Sequence, residues 1–558
     1  MDIIPLLSLF SQGSASQVAL PGALLGILFE VTMAQIFDLE YVMYQLIGIF
    51  LFVIIGLASI YIKIGFSPLD TLARLSIIGA SFNAGLFSTM IIYRLYFHRL
   101  KHFPGPGRLR ISRFFSALLA AKDLKYHEEV AKLHETYGDF IRTGPRELCI
   151  VRKSAVPLIY GTNTKCRKST FYVSGSPNPR KSSIVSTTDV DDHRRRRRAW
   201  DRGLGVKACQ SYEQRIKVLA DQLISHISQR GIIDVTEKAM YLTFDVMGSV
   251  GLGRSMNCVA HNFNHPAIKA IHDHMGIFSI GTHVPYLLNL LANIPKATAG
   301  YAPFYKYCHD QVVEKRKTLD LSKTPQDILS WLLKAVIEKD ISASPTKESL
   351  DEDSRALIIA GSDTNGTTLA AALYFMAKYP FVAQKLQSQI DAVMPGGPAH
   401  WDYEKVKTIT YLDHIIQETL RLKPATLTGG YRVTPPEGLQ VDEQFIPGNI
   451  SVFVPTQLIQ IDPRYWKQAT EFVPERWDER KDEMGTDGIA YNPFSQGSFA
   501  CVGKPLAMLT LRIAISTLLQ TYDVSFAPGE TGEAFDRDAR DTFTTSLKPL
   551  MLQFSRRK

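Results

Sequence analysis

The chain has 558 residues, 45% of them apolar and 21% charged, with a formal net charge of +9. That length gives ample core for one large domain or two, and the balance is that of a globular protein, which excludes a disordered or fibrous chain. The positive charge suits acidic partners, anionic lipid or a polyanionic cofactor, and composition does not choose among them. The six cysteines, Cys149, Cys166, Cys209, Cys258, Cys308 and Cys501, form no C-x-x-C pair. Neither a zinc site nor a disulfide framework is indicated, and a reducing compartment fits.

Residues before Phe103 are strongly apolar and those after it read as a soluble protein. Tyr41–Ile62 carries no charge and is long enough to cross a bilayer as a helix. Leu75–Tyr93 is also uncharged, and Ala19–Phe37 is a weaker third candidate because Glu30 interrupts it. Residues 1–102 therefore read as a membrane anchor with two or three spans, and 103–558 as a catalytic-sized body. Arg94, Arg99, Lys101, Arg108 and Arg110 crowd the exit of the last span, which puts the body on the cytosolic side. Lys63 and Arg74 would lie on the other side, which weakens that argument without reversing it. "FPGPG" at 103–107 cannot continue a helix and reads as a stiff hinge.

In the body, "FIRTGPRELCIV" sets two strand-like pieces around a Gly-Pro turn. Helical periodicity follows over 209–230, 236–252, 306–338, 354–379, 403–422 and 505–521. A strand-rich patch covers roughly 427–457 and another lies at the C-terminus. The expected fold is mainly α with small β-sheets. No G-x-G-x-x-G opens a helix after a strand, so the chain carries no dinucleotide-binding domain of its own.

Four motifs stand in order. "AGSDT", 360–364, puts Gly361, Asp363 and Thr364, poor helix formers, inside an apolar helical run. They could open the helix and pass protons to a small ligand; the alternative is a plain kink with a solvated acid. "ETLR" places Glu418 and Arg421 at i and i+3 on one helical face, and "FVPERW" supplies Arg476. A Glu418–Arg421–Arg476 network would satisfy both cations and brace a loop. Last comes "FSQGSFACVGK", with Phe494, Gly497, Cys501 and Gly503. Here the chain resembles the cytochromes P450, the haem-thiolate monooxygenases, over some four-fifths of its length.

That resemblance implies a P450 fold with haem b, iron protoporphyrin IX, and Cys501 as the axial thiolate of its iron. Thiolate ligation favours O–O cleavage. It further implies that Gly361 leaves space for dioxygen, that Thr364 hydrogen-bonds the reduced oxygen and that Asp363 relays protons. Glu418, Arg421 and Arg476 would be structural, locking the haem-binding loop. Five consecutive arginines follow His193, and on a helix at least one must point inward. His193 and Arg197 resemble the family's H-x-x-x-R beside the haem and, with Arg432, are assigned to its propionates.

Phe499 stands where the family usually has a basic residue, so one propionate contact is missing, and Arg197, Arg198 or Arg432 could cover it. The resemblance implies electrons from an NADPH-cytochrome P450 reductase, O2 as oxidant, a multi-pass anchor in the endoplasmic reticulum membrane and an apolar secondary-metabolite substrate of fungal type, a terpenoid, alkaloid or polyketide. The expected pocket walls are parts of 170–190, Leu357–Gly361, Ala425–Gly430 and Phe543–Ser546. The competing reading on the same fold is a haem-thiolate isomerase or dehydratase needing no external electrons, against which the Asp363–Thr364 pair argues. A transporter does not fit apolar spans confined to the first 93 residues. Nucleic-acid binding would rest on the arginine run alone and is not expected.

Overall fold

A computed structural model describes residues 15–35, 42–173, 179–292, 294 and 300–557. The chain divides into two compact units: residues 1–115 with 142–146, and residues 116–141 with 147–558.

Among the described residues of the first unit, three helices are long and apolar enough to cross a membrane, within Gln17–Ala34, Met43–Ile64 and Pro68–Phe97. The first of them ends before the Phe37 of the sequence reading, which lies outside the described residues. Helices Ala15–Phe29 and Pro68–Ile92 approach closely through glycine. A Cβ on Gly26 would collide with the Phe82 carbonyl oxygen, and one on Gly85 with that of Ala23. Small residues permit such contact where lipid offers no hydrophobic driving force. Glu30 is buried and accepts a hydrogen bond from Gln35 Nε2 at 2.7 Å, which satisfies a carboxyl set among apolar helices.

The second unit is built around one helix, Lys347–Lys378, opened by a capping box at Thr346. From Asn365 to Ala377 every residue of it is buried. Gly366 lets it press on helix Val235–Val246, where a Cβ would stand 3.2 Å from Met240 Cα. The "AGSDT" segment does not open this helix, which runs unbroken. Its polar side chains instead turn back on preceding carbonyls: Ser362 Oγ donates to Ile358 O and Thr364 Oγ1 to Ala360 O at 2.7 Å.

Small sheets flank the helices. Strands Glu147–Ile150, Ser451–Phe453, Arg432–Val433 and Arg167–Lys168 lie side by side in that order, the first pair parallel and the others antiparallel. Met551–Arg556 pairs antiparallel with both Ile232–Asp234 and Tyr522–Phe526. Arg540–Thr542 and Thr544–Ser546 form a hairpin with Phe543 at its tip. The helical run read over 306–338 is two helices, Ala302–Thr318 and Ile328–Ile337. "LSKTPQD" between them carries a proline, and Asp327 caps the second helix by accepting from Ser330 N–H.

Candidate active site

Cys501 sits where a loop meets the N-terminus of helix Lys504–Thr521. The loop is closed by its own backbone: Cys501 N–H donates to Phe494 O at 2.8 Å and Ala500 N–H to Gly497 O at 3.1 Å. Gly497 has φ +63, and a Cβ there would strike the Gly161 carbonyl, so the turn demands glycine. Burial pushes the Cys501 thiol up, while the N–H groups of Gly503 and Lys504 and the positive charge of Arg197 pull it back toward the thiolate. The other five cysteines are buried, but the Cys501 side chain is open to a cavity of about 360 Å³.

That cavity gathers much of what the sequence singled out. Gly361, Thr364, His193, Arg197, Arg432, Phe494 and Gly503 line it together with Cys501. Its expected walls are present in Phe171, Ile184, Val185, Leu357, Ala425, Gly430 and Phe543, while residues 174–178 lie outside the described residues. Gly361 does a further job: a Cβ there would run into Met247, so its glycine lets the Met247 thioether pack against the helix and reach the cavity. Asp363 is not among the lining residues. Its carboxylate accepts the Thr544 hydroxyl and lies 3.4 Å from His272 Nε2.

The arginine run resolves by face. Arg194 and Arg198 are exposed. Arg196 is the inward one, its Nη2 2.6 Å from the buried Asp353 carboxylate. Arg197 donates to Asp201 at 2.8 Å and to the Ala500 carbonyl at 2.7 Å. His193 packs on Phe499, ring centroids 4.7 Å apart. Burial, with the charges of Lys168, Arg197, Arg196 and Arg432, pushes His193 down to about 2, so it is neutral.

Away from the cavity, Glu418, Arg421 and Arg476 are fully buried and in mutual contact. Glu418 takes Arg421 Nε and Nη2 at 2.9 and 2.8 Å, Arg476 Nε at 2.9 Å, Trp477 Nε1 at 3.1 Å and Val473 N–H at 3.0 Å. The remaining guanidinium donors end on the carbonyls of Gln460, Ala469, Glu471, Lys467 and Gln468. Every nitrogen of both guanidinium groups thus has an acceptor, as a buried network requires.

Sequence reasoning passed over Lys168, Met247 and Asp541, all cavity-lining. The sequence around Lys168 carries no local signal of its burial. In the two-residue strand Arg167–Lys168 side chains alternate, leaving Arg167 exposed and Lys168 buried.

The residues fit an iron porphyrin. A thiol is open to a cavity with largely apolar walls, and Lys168, Arg197 and Arg432 bring positive charge to its lining. Arg432 is buried, has no ion-pair partner among the described residues, and its Nε finds no acceptor. A planar apolar group with a carboxylate edge would satisfy both features. These are the features that a haem-thiolate enzyme requires.

The cytochrome P450 family profile matches residues 104–554, and the chain belongs to that family of haem-iron monooxygenases. It is 35% identical to cytochrome P450 monooxygenase orf5 of Eupenicillium brefeldianum, over 85% of this chain and 94% of that one. It is 30% identical to tryprostatin B 6-hydroxylase of Aspergillus fumigatus, over 88% and 86%. The crystal structure of a cytochrome P450 (CYP102L1) shares the fold, with TM-score 0.65 at 20% identity over 79% of this chain and 96% of that one.

Proposed function

We propose that this enzyme inserts one atom of dioxygen into an apolar secondary-metabolite intermediate, a terpenoid, alkaloid or polyketide, using electrons from an NADPH-cytochrome P450 reductase. The observation that carries the reading is that Cys501 opens into the same cavity as Gly361 and Thr364. Relatives that are fungal P450 monooxygenases support the substrate class, and one named for hydroxylating tryprostatin B supports hydroxylation as the reaction.

Haem b, bound in this cavity, supplies reduction and cleavage of dioxygen. The chain's residues do the rest. Cys501 would hold the iron, with Phe494, Gly497 and Gly503 shaping its loop. Arg432 would meet the propionate edge, with His193 and Arg197 beside it. Thr364, whose hydroxyl now donates to Ala360 O, would turn that donor into the cavity, and Asp363 would hold and relay a proton toward it. Glu418, Arg421 and Arg476 brace the segment leading to the thiol loop.

The three apolar helices support anchoring, and the basic residues from Arg94 to Arg110 support a cytosolic body on the endoplasmic reticulum membrane. The test is incubation of microsomes holding the enzyme with reductase, NADPH and a panel of candidate intermediates, followed by mass spectrometry. Gain of one oxygen atom that requires NADPH is the expected result. Conversion without NADPH would favour the isomerase or dehydratase reading.

A further inference from the structure

The cation that the thiol loop lacks at Phe499 has a stand-in on a different segment. Lys168 is buried, lines the cavity, and has no acidic partner among the described residues. Its ammonium spends two of its three N–H donors on the carbonyls of Ile184 and Val185, at 2.9 and 2.8 Å. It stands 5.0 Å from the centre of the Phe499 ring, while the Arg432 guanidinium stands 5.1 Å from the same centre. Phe499 is thus attended by two buried cations.

Magnitudes show that this arrangement is incomplete. A cation over an aromatic ring gains only a modest stabilisation. Burying an unpaired ammonium costs more than that, even after relaxation. Burial and the charges of Arg432, Arg196 and Arg197 accordingly hold Lys168 well below the ordinary lysine value. The neighbouring cations offer no relief. Arg196 is committed to Asp353 and Asp192, Arg197 to Asp201 and the Ala500 carbonyl, and His193 is neutral. An anion entering from the cavity would answer Lys168.

We propose that Lys168 pairs with a haem propionate and supplies, from its own strand, the charge that Phe499 does not. The proposal rests on the haem-thiolate reading and concerns one residue within it. Phe499 lies between Lys168 and Arg432, so the two cations face one carboxylate edge across an apolar ring.

The test is the rate at which the full-length enzyme, in detergent and without substrate, loses haem to excess apomyoglobin. Lys168→Met is expected to speed the loss about tenfold, near 1.4 kcal/mol of affinity, while Lys168→Arg leaves it close to the parent. In the Lys168→Met background, Phe499→Arg is expected to slow the loss again. An unchanged rate in Lys168→Met overturns the proposal. So does an unchanged rate joined to weaker binding of laurate, which would assign Lys168 to a substrate carboxylate. Should Lys168→Met give no folded protein, recovery of haem protein by Lys168→Met/Phe499→Arg supports the proposal, and a double variant as poor as the single overturns it. Failure of the haem-thiolate reading itself looks different: the parent enzyme would bind no haem to lose.

Discussion

Arg197 reaches the carbonyl of Ala500, the residue just before Cys501, at 2.7 Å, across more than three hundred residues of sequence. This hydrogen bond ties the arginine helix Val190–Leu204 to the thiol loop and sets a positive charge near the sulfur. A charge so placed favours the thiolate over the thiol. Arg197→Leu is therefore expected to raise the fraction of reduced, CO-treated enzyme that lacks the red-shifted Soret band of thiolate ligation. The check is that fraction, compared with Arg197→Lys at equal haem content.

Glu418 answers two buried guanidinium groups at once. Glu418→Gln keeps the shape and removes the charge, leaving Arg421 and Arg476 uncompensated at full burial. Breaking a buried pair costs about 3–5 kcal/mol, a large share of the about 5–15 kcal/mol that holds a domain folded. The variant is expected to accumulate as unfolded or haem-free protein. Urea unfolding followed by tryptophan fluorescence checks this, since Trp466 and Trp477 lie against the network.

Asp363 is held by the Thr544 hydroxyl and neighboured by His272, whose side chain is half exposed. If it passes protons toward Thr364, Asp363→Asn is expected to slow product formation by about 10²-fold or more while substrate binding stays unchanged. Thr364→Ala, which removes a hydroxyl donor from the cavity, is expected instead to let NADPH oxidation continue with little product and more peroxide. Measuring NADPH consumed, peroxide and product together separates these outcomes. Equal coupling in parent and both variants would remove both residues from the reaction.

Asp541 faces the cavity near Phe543, and burial pushes its carboxyl up to about 6 despite hydrogen bonds from the Thr428 hydroxyl and the Phe543 N–H. The unfolded chain titrates near a pKa of about 3.9. Between those values the folded state holds the extra proton, so Asp541 supports the fold below about pH 4. That support is lost as pH rises through about 6, and the whole span is worth about 3 kcal/mol. Asp541→Asn is expected to be more stable than the parent at neutral pH, with the gap closing toward pH 4. Urea titrations across that range check the sign.

Part of this site is legible in the sequence because its chemistry demands fixed spacing. A thiol flanked by glycines before a helix, and an E-x-x-R whose partner lies on a downstream loop, are local patterns that survive without a structure. The arginine run shows where such reading stops. Helical periodicity requires that one of the five point inward, but Asp353, over 150 residues away in sequence, decides that it is Arg196. Lys168 was hidden for the same reason. Its burial depends on strand pairing with Arg432–Val433 and on carbonyls of Ile184 and Val185, none of which a window of sequence contains. Long apolar runs gave helix type correctly, yet Asp327 and the proline before it break the 306–338 run into two helices. "AGSDT" failed to open its helix because its hydroxyls found acceptors one turn back along it.

The central claim is a sulfur–iron bond through Cys501, and the reduced carbon monoxide difference spectrum of the purified full-length enzyme tests it most directly. A sulfur–iron bond through Cys501 gives a strongly red-shifted Soret band in the parent that disappears in Cys501→Ala and persists when any of the five buried cysteines is replaced. A folded parent without that band, or a Cys501→Ala variant that keeps it, would contradict the account.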